Sequence, residues 1–193
     1  MKSKLKHAEW KAGASKVDIT PGEPIWLHGW GQQGNRAKPS QGVTQRIYVK
    51  ALALQDETKH LSVWVTTDLL GYSRDMANTL ARRAQKRFGL ERSRLILNSS
   101  HNHSGPATGD LLHLYFKLPK REYQVIDRYT AWLLDRILES IGLAIADLAP
   151  AKLAFGQGLA GFAVNRRRSR AGGRPLPTVV DQDVPVLKVS AAD

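Results

Sequence analysis

Apolar and polar positions alternate along the chain first with a period of two and then with the longer period of a helix. Across residues 47–54 two interleaved rows, Ile47/Val49/Ala51/Ala53 and Tyr48/Lys50/Leu52/Leu54, are both mostly apolar. That is the pattern of a strand buried on both faces. The polar stretch 55–59 reads as a turn, and Leu61, Val63 and Val65 then alternate with Ser62, Trp64 and Thr66, so a second strand returns as a hairpin. Ser73 is the expected N-cap of a helix with Asp75 in its first turn. Its apolar stripe is Ala77, Leu80, Ala81, Ala84 and Phe88, and Gly89 stops it. Residues 94–100 read as a short buried strand, so strand, helix and strand make a βαβ unit whose two strands run parallel. A longer helix is predicted over 122–148, with Ile126, Tyr129, Leu133, Ile137, Ile141 and Ile145 on one side and Pro150 ending it. Residues 152–155 and 184–189 look like strands. The expected class is α/β: mixed β-sheet layers flanked by helices, with the βαβ unit leading into a loop at His101.

With 193 residues, 42% hydrophobic and 24% charged, the chain suits a single globular domain over residues 1–193. Its 29 Lys and Arg against 17 Asp and Glu leave a formal charge of +12, which favours an anionic partner without specifying a reaction. Cysteine is absent. Disulfides, thiolate metal sites and cysteine nucleophiles are therefore excluded, and a metal would need His, carboxylate, phenolate or water. The basic N-terminus runs into Ala8-Glu9-Trp10-Lys11 where a signal peptide needs an apolar core of about seven residues. No stretch approaches the roughly 20 apolar residues of a membrane-spanning helix, so the expectation is a soluble, cytoplasmic protein.

Two places carry candidate chemistry. The turn cluster at 20–24 and the glycine-rich stretch at 29–42 bracket a loop with Trp26, His28 and Trp30, which either lines a site or folds over its own hydrophobic plug. The stronger signal is His101-Asn102-His103-Ser104-Gly105-Pro106, directly after the second strand of the βαβ unit. Sites in open α/β sheets collect beyond the carboxyl ends of parallel strands. In extended backbone, residues two apart share a face, so His101 and His103 can present two imidazoles to one cavity. One could bind a metal while the other donates to a substrate oxygen, or both could be ligands. Two hydrogen-bonded structural histidines are the bland alternative.

The segment Ala14-Ser15-Lys16-Val17-Asp18-Ile19-Thr20-Pro21, then Leu27-His28-Gly29-Trp30-Gly31, then Asn98-Ser99-Ser100-His101-Asn102-His103-Ser104-Gly105-Pro106 resembles the N-terminal domain of the neutral/alkaline non-lysosomal ceramidases. The family's wording at the histidines is close to S-A-T-H-T-H-S-G-P, and here Asn102 and Ser99-Ser100 depart from it while both histidines stay. The resemblance runs over most of the chain. It implies a zinc-dependent amide hydrolase that splits ceramide, or a related N-acyl substrate, into a fatty acid and an amine such as sphingosine. It also implies that His101 is a zinc ligand, that His103 contacts substrate, and that Arg166, in Asn165-Arg166, does so too, although Arg167 stands where serine is usual. Asp18 before Thr20-Pro21 reads as a turn cap rather than a ligand-orienting group.

The family's other zinc ligands, a second histidine, a glutamate and a tyrosine, lie downstream of the last strand of this sequence. None of the matched positions supplies them, and His28, His60 and His113 read as bland. The chain is thus expected to be the N-terminal part of the family's catalytic domain and incomplete for catalysis by itself, a truncated relative, or one whose missing ligands come from a partner chain. The competing reading is a non-catalytic basic module that uses Arg82, Arg83, Lys86, Arg87 and the arginines of 166–174 against nucleic acid or an anionic membrane. No nucleic-acid motif is present and those residues fall on unlike elements, so it ranks below the hydrolase, with peripheral membrane contact left open.

Overall fold

The computed structural model describes residues 10–29, 37–111, 117–165 and 180–192. The chain forms two units, Met1–Pro150 and Ala151–Asp193. In the first, β1 (Trp10–Asp18), β2 (Tyr48–Gln55), β3 (Leu61–Thr67) and β4 (Leu95–Ser99) lie side by side in the order β4-β3-β2-β1. β1 pairs antiparallel with β2, β2 antiparallel with β3, and β3 parallel with β4. Between the parallel pair runs α1 (Arg74–Phe88), and α2 (Lys120–Ala146) follows β4.

Local chemistry accounts for most boundaries. The Asp56 carboxylate accepts the N–H groups of Thr58 and His60, both at 2.9 Å, which closes the β2–β3 hairpin and keeps His60 in its turn. The Ser73 hydroxyl accepts the Met76 N–H at 3.2 Å at the start of α1. Gly89 ends that helix in a left-handed conformation, φ 66°. One stripe of α1 (Met76, Leu80, Ala81, Ala84) and one of α2 (Tyr129, Leu133, Ile137, Ile141) are buried in a core with Val49, Ala51, Ala53, Val63 and Val65 of the sheet. The Ser15 hydroxyl, 2.8 Å from the Ser140 carbonyl, ties β1 to α2. The Tyr129 hydroxyl donates to the Ile19 carbonyl at 2.6 Å just past the end of β1, and burial pushes its pKa up.

Three features depart from the sequence expectation. β1 has no strong strand signature, since Trp10–Asp18 is built largely from Ala, Gly, Lys and Ser. It forms because β2 offers a complete backbone ladder and α2 covers its inner side. Gly13 is where that approach is closest: a Cβ there would collide with the Ala144 carbonyl. Second, α2 stops at Ala146, with Asp147 as its C-cap, because β5 (Ala149–Leu159) already starts there and takes in Pro150. Third, β2 is not buried on both faces. Val49, Ala51 and Ala53 face the helices, whereas Lys50 is exposed and Leu52 half-buried on the other side.

The second unit is an antiparallel hairpin of β5 and β6 (Asp183–Ala191), in register from Ala151 opposite Ala191 to Leu159 opposite Asp183. Both strands are longer than the periodicity alone predicts. Mixed sheet and helices together give the expected α/β character. Among the described residues no helix is long and apolar enough to cross a membrane.

Candidate functional site

The site is built where β4 ends. Ser100 extends the parallel pairing by one more bond, its N–H donating to the Thr67 carbonyl at 3.0 Å. The next residue, His101, turns out of the strand with φ 53°, a left-handed conformation that costs a non-glycine residue about 1–2 kcal/mol. The turn brings its Nδ1 to 2.7 Å from the Leu70 carbonyl oxygen. A carbonyl only accepts, so Nδ1 carries the proton of the neutral ring and Nε2 holds the lone pair. His101 Nε2 lies 3.4 Å from His103 Nε2, the two rings meeting edge to face with centroids 5.1 Å apart.

The rest of the loop holds that arrangement. Asn102 accepts the Ser104 N–H at 3.0 Å in an Asx turn. Beyond it the chain pairs with the loop at 25–28: the His28 N–H donates to the Gly105 carbonyl at 3.0 Å and the Ala107 N–H to the Trp26 carbonyl at 2.7 Å, either side of an antiparallel bridge between Leu27 and Pro106. Trp26 and His28, 6% and 2% exposed, form the plug rather than a site lining. Burial pulls the His28 pKa down to about 4, so this imidazole is neutral near pH 7. Gly29 follows with φ 111°, and a Cβ there would sit 2.5 Å from the His103 Cβ. Only glycine lets the second loop run directly beneath His103.

A metal fits this geometry in part. A ring nitrogen that donates to a backbone carbonyl orients its partner nitrogen as a ligand, as seen around metal-bound histidines. If both Nε2 atoms carried lone pairs, two nitrogens bound tetrahedrally to one zinc at about 2.05 Å would be about 3.3 Å apart, close to the separation here; with a proton on His103 Nε2, His101 alone offers a lone pair. Among the described residues, however, no group of three or more His, Asp or Glu converges to complete a site. The even-numbered residues of the same loop face elsewhere: Ser100, Asn102 and Ser104 line a cavity of about 960 Å³ with Arg46 and Asp68, and neither histidine is part of its lining.

Of the residues expected from the sequence, His101 and His103 are brought together, while Arg166, Trp30 and His113 lie outside the described residues. Asp18 caps its turn as expected, accepting the Thr20 N–H at 2.8 Å and pairing with Arg46 at 2.5 Å. Hydrogen bonds from Thr20, with help from Arg46, hold its pKa down to about 2. Two of the basic residues of α1 are engaged within the fold: Arg83 pairs with Asp135 of α2 and Arg82 bonds Thr79. Sequence reasoning missed two supports of the histidines. One is the Leu70 carbonyl, which carries no side-chain signal, and the other is Gly29, whose place between His28 and Trp30 could have marked a backbone close to something else.

A family model described as neutral/alkaline non-lysosomal ceramidase, N-terminal, matches residues 10–172. The structure is similar to that of neutral ceramidase from Pseudomonas aeruginosa, with a TM-score of 0.71 and 24% identity over 97% of this chain and 30% of that one. It is likewise similar to a ceramidase complexed with C2, with a TM-score of 0.72 and 22% identity over 96% of this chain and 29% of that one. The two structures share the fold of this chain, which spans less than a third of the length of either.

Proposed function

This chain belongs to the neutral/alkaline non-lysosomal ceramidases, and on that premise we propose that it supplies His101 and His103 to a zinc-dependent amide hydrolase acting on an N-acyl lipid. The substrate class is ceramide or a related N-acyl compound, cleaved to a fatty acid and an amine such as sphingosine. The observation that carries the reading is the 2.7 Å contact of His101 Nδ1 with the Leu70 carbonyl, which engages that nitrogen as a donor and leaves the Nε2 lone pair beside His103.

His101 would hold zinc through Nε2, and bound zinc lowers the pKa of its water towards ~7 and polarises the amide carbonyl. The chain's own contribution is positioning. The Leu70 carbonyl fixes the ring of His101, and the loop at 25–29 supports His103 from below. His103, with a proton on Nε2, can donate to the carbonyl oxygen as negative charge develops there. One such donor is commonly worth about 100-fold or more in kcat. By resemblance, Arg166 is a second candidate for that task. By the same resemblance, the remaining zinc ligands would come from polypeptide outside the matched positions or from a partner chain.

The test combines metal binding with turnover. Zinc affinity is measured by competition with a chromogenic chelator, and hydrolysis of a short-chain fluorescent ceramide is followed with added zinc. His101→Ala is expected to weaken zinc binding at least ~10-fold and to abolish any zinc-dependent turnover. Zinc binding and turnover both untouched by the substitution would overturn the assignment.

A further inference from the structure

The face of the sheet turned away from the helices carries an ordered pattern that the hydrolase reading does not use. Register aligns Ala14, Leu52, Trp64 and Ile96 in one row across all four strands. Trp64 and Ile96 are 42% and 47% exposed. The row spans roughly 14 Å at the usual strand spacing. The next row, towards the carboxyl ends of β3 and β4, is Lys16, Lys50, Thr66 and Asn98. Together the two rows line a groove of about 760 Å³, a volume suited to a small ligand.

The two lysines are the informative feature. Lys16 and Lys50 stand directly opposite each other on antiparallel strands, a placement that destabilises a sheet when the charges are alike. No acidic residue lines the groove. The Lys16 ammonium rests 3.8 Å over the Tyr48 ring, and Lys50 has no ion-pair or hydrogen-bond partner among the described residues. The nearby carboxylates are engaged: Asp18 with Arg46 and the Thr20 N–H, and Asp68 with the Tyr48 N–H at 2.9 Å. Two unneutralised cations at one end of an apolar row match an anionic head joined to an apolar tail.

We infer that this groove is a binding site for a long-chain carboxylate, with the acyl chain along the row from Leu52 to Ile96 and the carboxylate between Lys16 and Lys50. The site is separate from the histidines. It goes beyond the hydrolase reading, although a fatty acid is the acid that the proposed reaction would release.

The experiment titrates the full chain with dodecanoate below its micellar range, following binding by calorimetry and tryptophan emission, with dodecanol as the uncharged counterpart. Dodecanoate is expected to bind at least ~10-fold more tightly than dodecanol, and Lys16→Gln/Lys50→Gln is expected to erase that difference. Trp64→Phe is expected to remove the emission change while leaving calorimetric binding measurable. Both lysines are exposed, and unchanged thermal unfolding of the double variant shows that the fold is kept. Equal affinity for the acid and the alcohol, or dodecanoate binding unaltered in the double variant, overturns the inference. Binding to vesicles containing phosphatidylglycerol without binding of monomeric dodecanoate also overturns it, in favour of a lipid surface. His101→Ala is expected to leave dodecanoate binding unchanged, so failure of the hydrolase reading and failure of this one are separable.

Discussion

At the scale of single residues, the loop after β4 spends conformational strain to place two ring nitrogens. His101 sits in a left-handed conformation and His103 rests on a glycine, so both depend on backbone that tolerates little change. Gly29→Ala adds a methyl 2.5 Å from the His103 Cβ at a backbone angle that alanine resists. On the proposed reading, the expected outcome is a fall of ~10–100-fold in any zinc-dependent turnover with far-UV circular dichroism retained, because misplacing a reacting group by about 1 Å costs on that order. Asp18 makes a prediction about pH. Its folded pKa of about 2 lies below the ordinary value of 3.8, so its stabilising contribution is present above about pH 4 and is lost as pH falls towards 2. Thermal unfolding between pH 5 and pH 2 should therefore show a shallower acid decline for Asp18→Asn than for the parent chain. The His-x-His motif itself was legible in the sequence, but the extended alternation expected to join the rings is not what joins them: His101 leaves the strand at φ 53°, and that turn brings the two Nε2 atoms together. The proton on Nδ1 was not legible, because it depends on a carbonyl 31 residues earlier.

At the scale of elements, α1 and the β2–β3 hairpin could be read from the sequence almost to the residue. Their boundaries are set by neighbours within one turn: Ser73 and Gly89 for the helix, Asp56 for the hairpin. β1 is the opposite case, a strand of weak propensity held by partners 30 or more residues away in sequence. Its packing is tightest at Gly13, where the backbone of α2 leaves no room for a side chain. Gly13→Ala is expected to destabilise the protein by about 1–3 kcal/mol in urea unfolding, the usual cost of overpacking a closed interior. An unchanged midpoint would mean that β1 and α2 are less closely joined than the Ser15–Ser140 contact indicates.

At the scale of the whole molecule, the plug under the site loop links histidine chemistry to global stability. His28 is neutral when folded, with a pKa of about 4 against an ordinary 6.5. The unfolded chain therefore binds a proton that the folded chain refuses between those values, and stability falls as pH drops through that window. Between pH 7 and pH 5 the loss from this one group should be about 2 kcal/mol, and His28→Gln should remove most of that pH dependence in urea titrations. What the sequence by itself determined is whatever rests on near neighbours: helix caps, the hairpin turn, the βαβ order and the family motif around His101 and His103. Only the tertiary structure decided that β1 joins the sheet, that Leu70 orients His101, that Gly29 supports His103 and that one face of β2 stays open. Each of these depends on a contact between segments far apart in the chain, where backbone groups and packing space, rather than side-chain pattern, choose the partner.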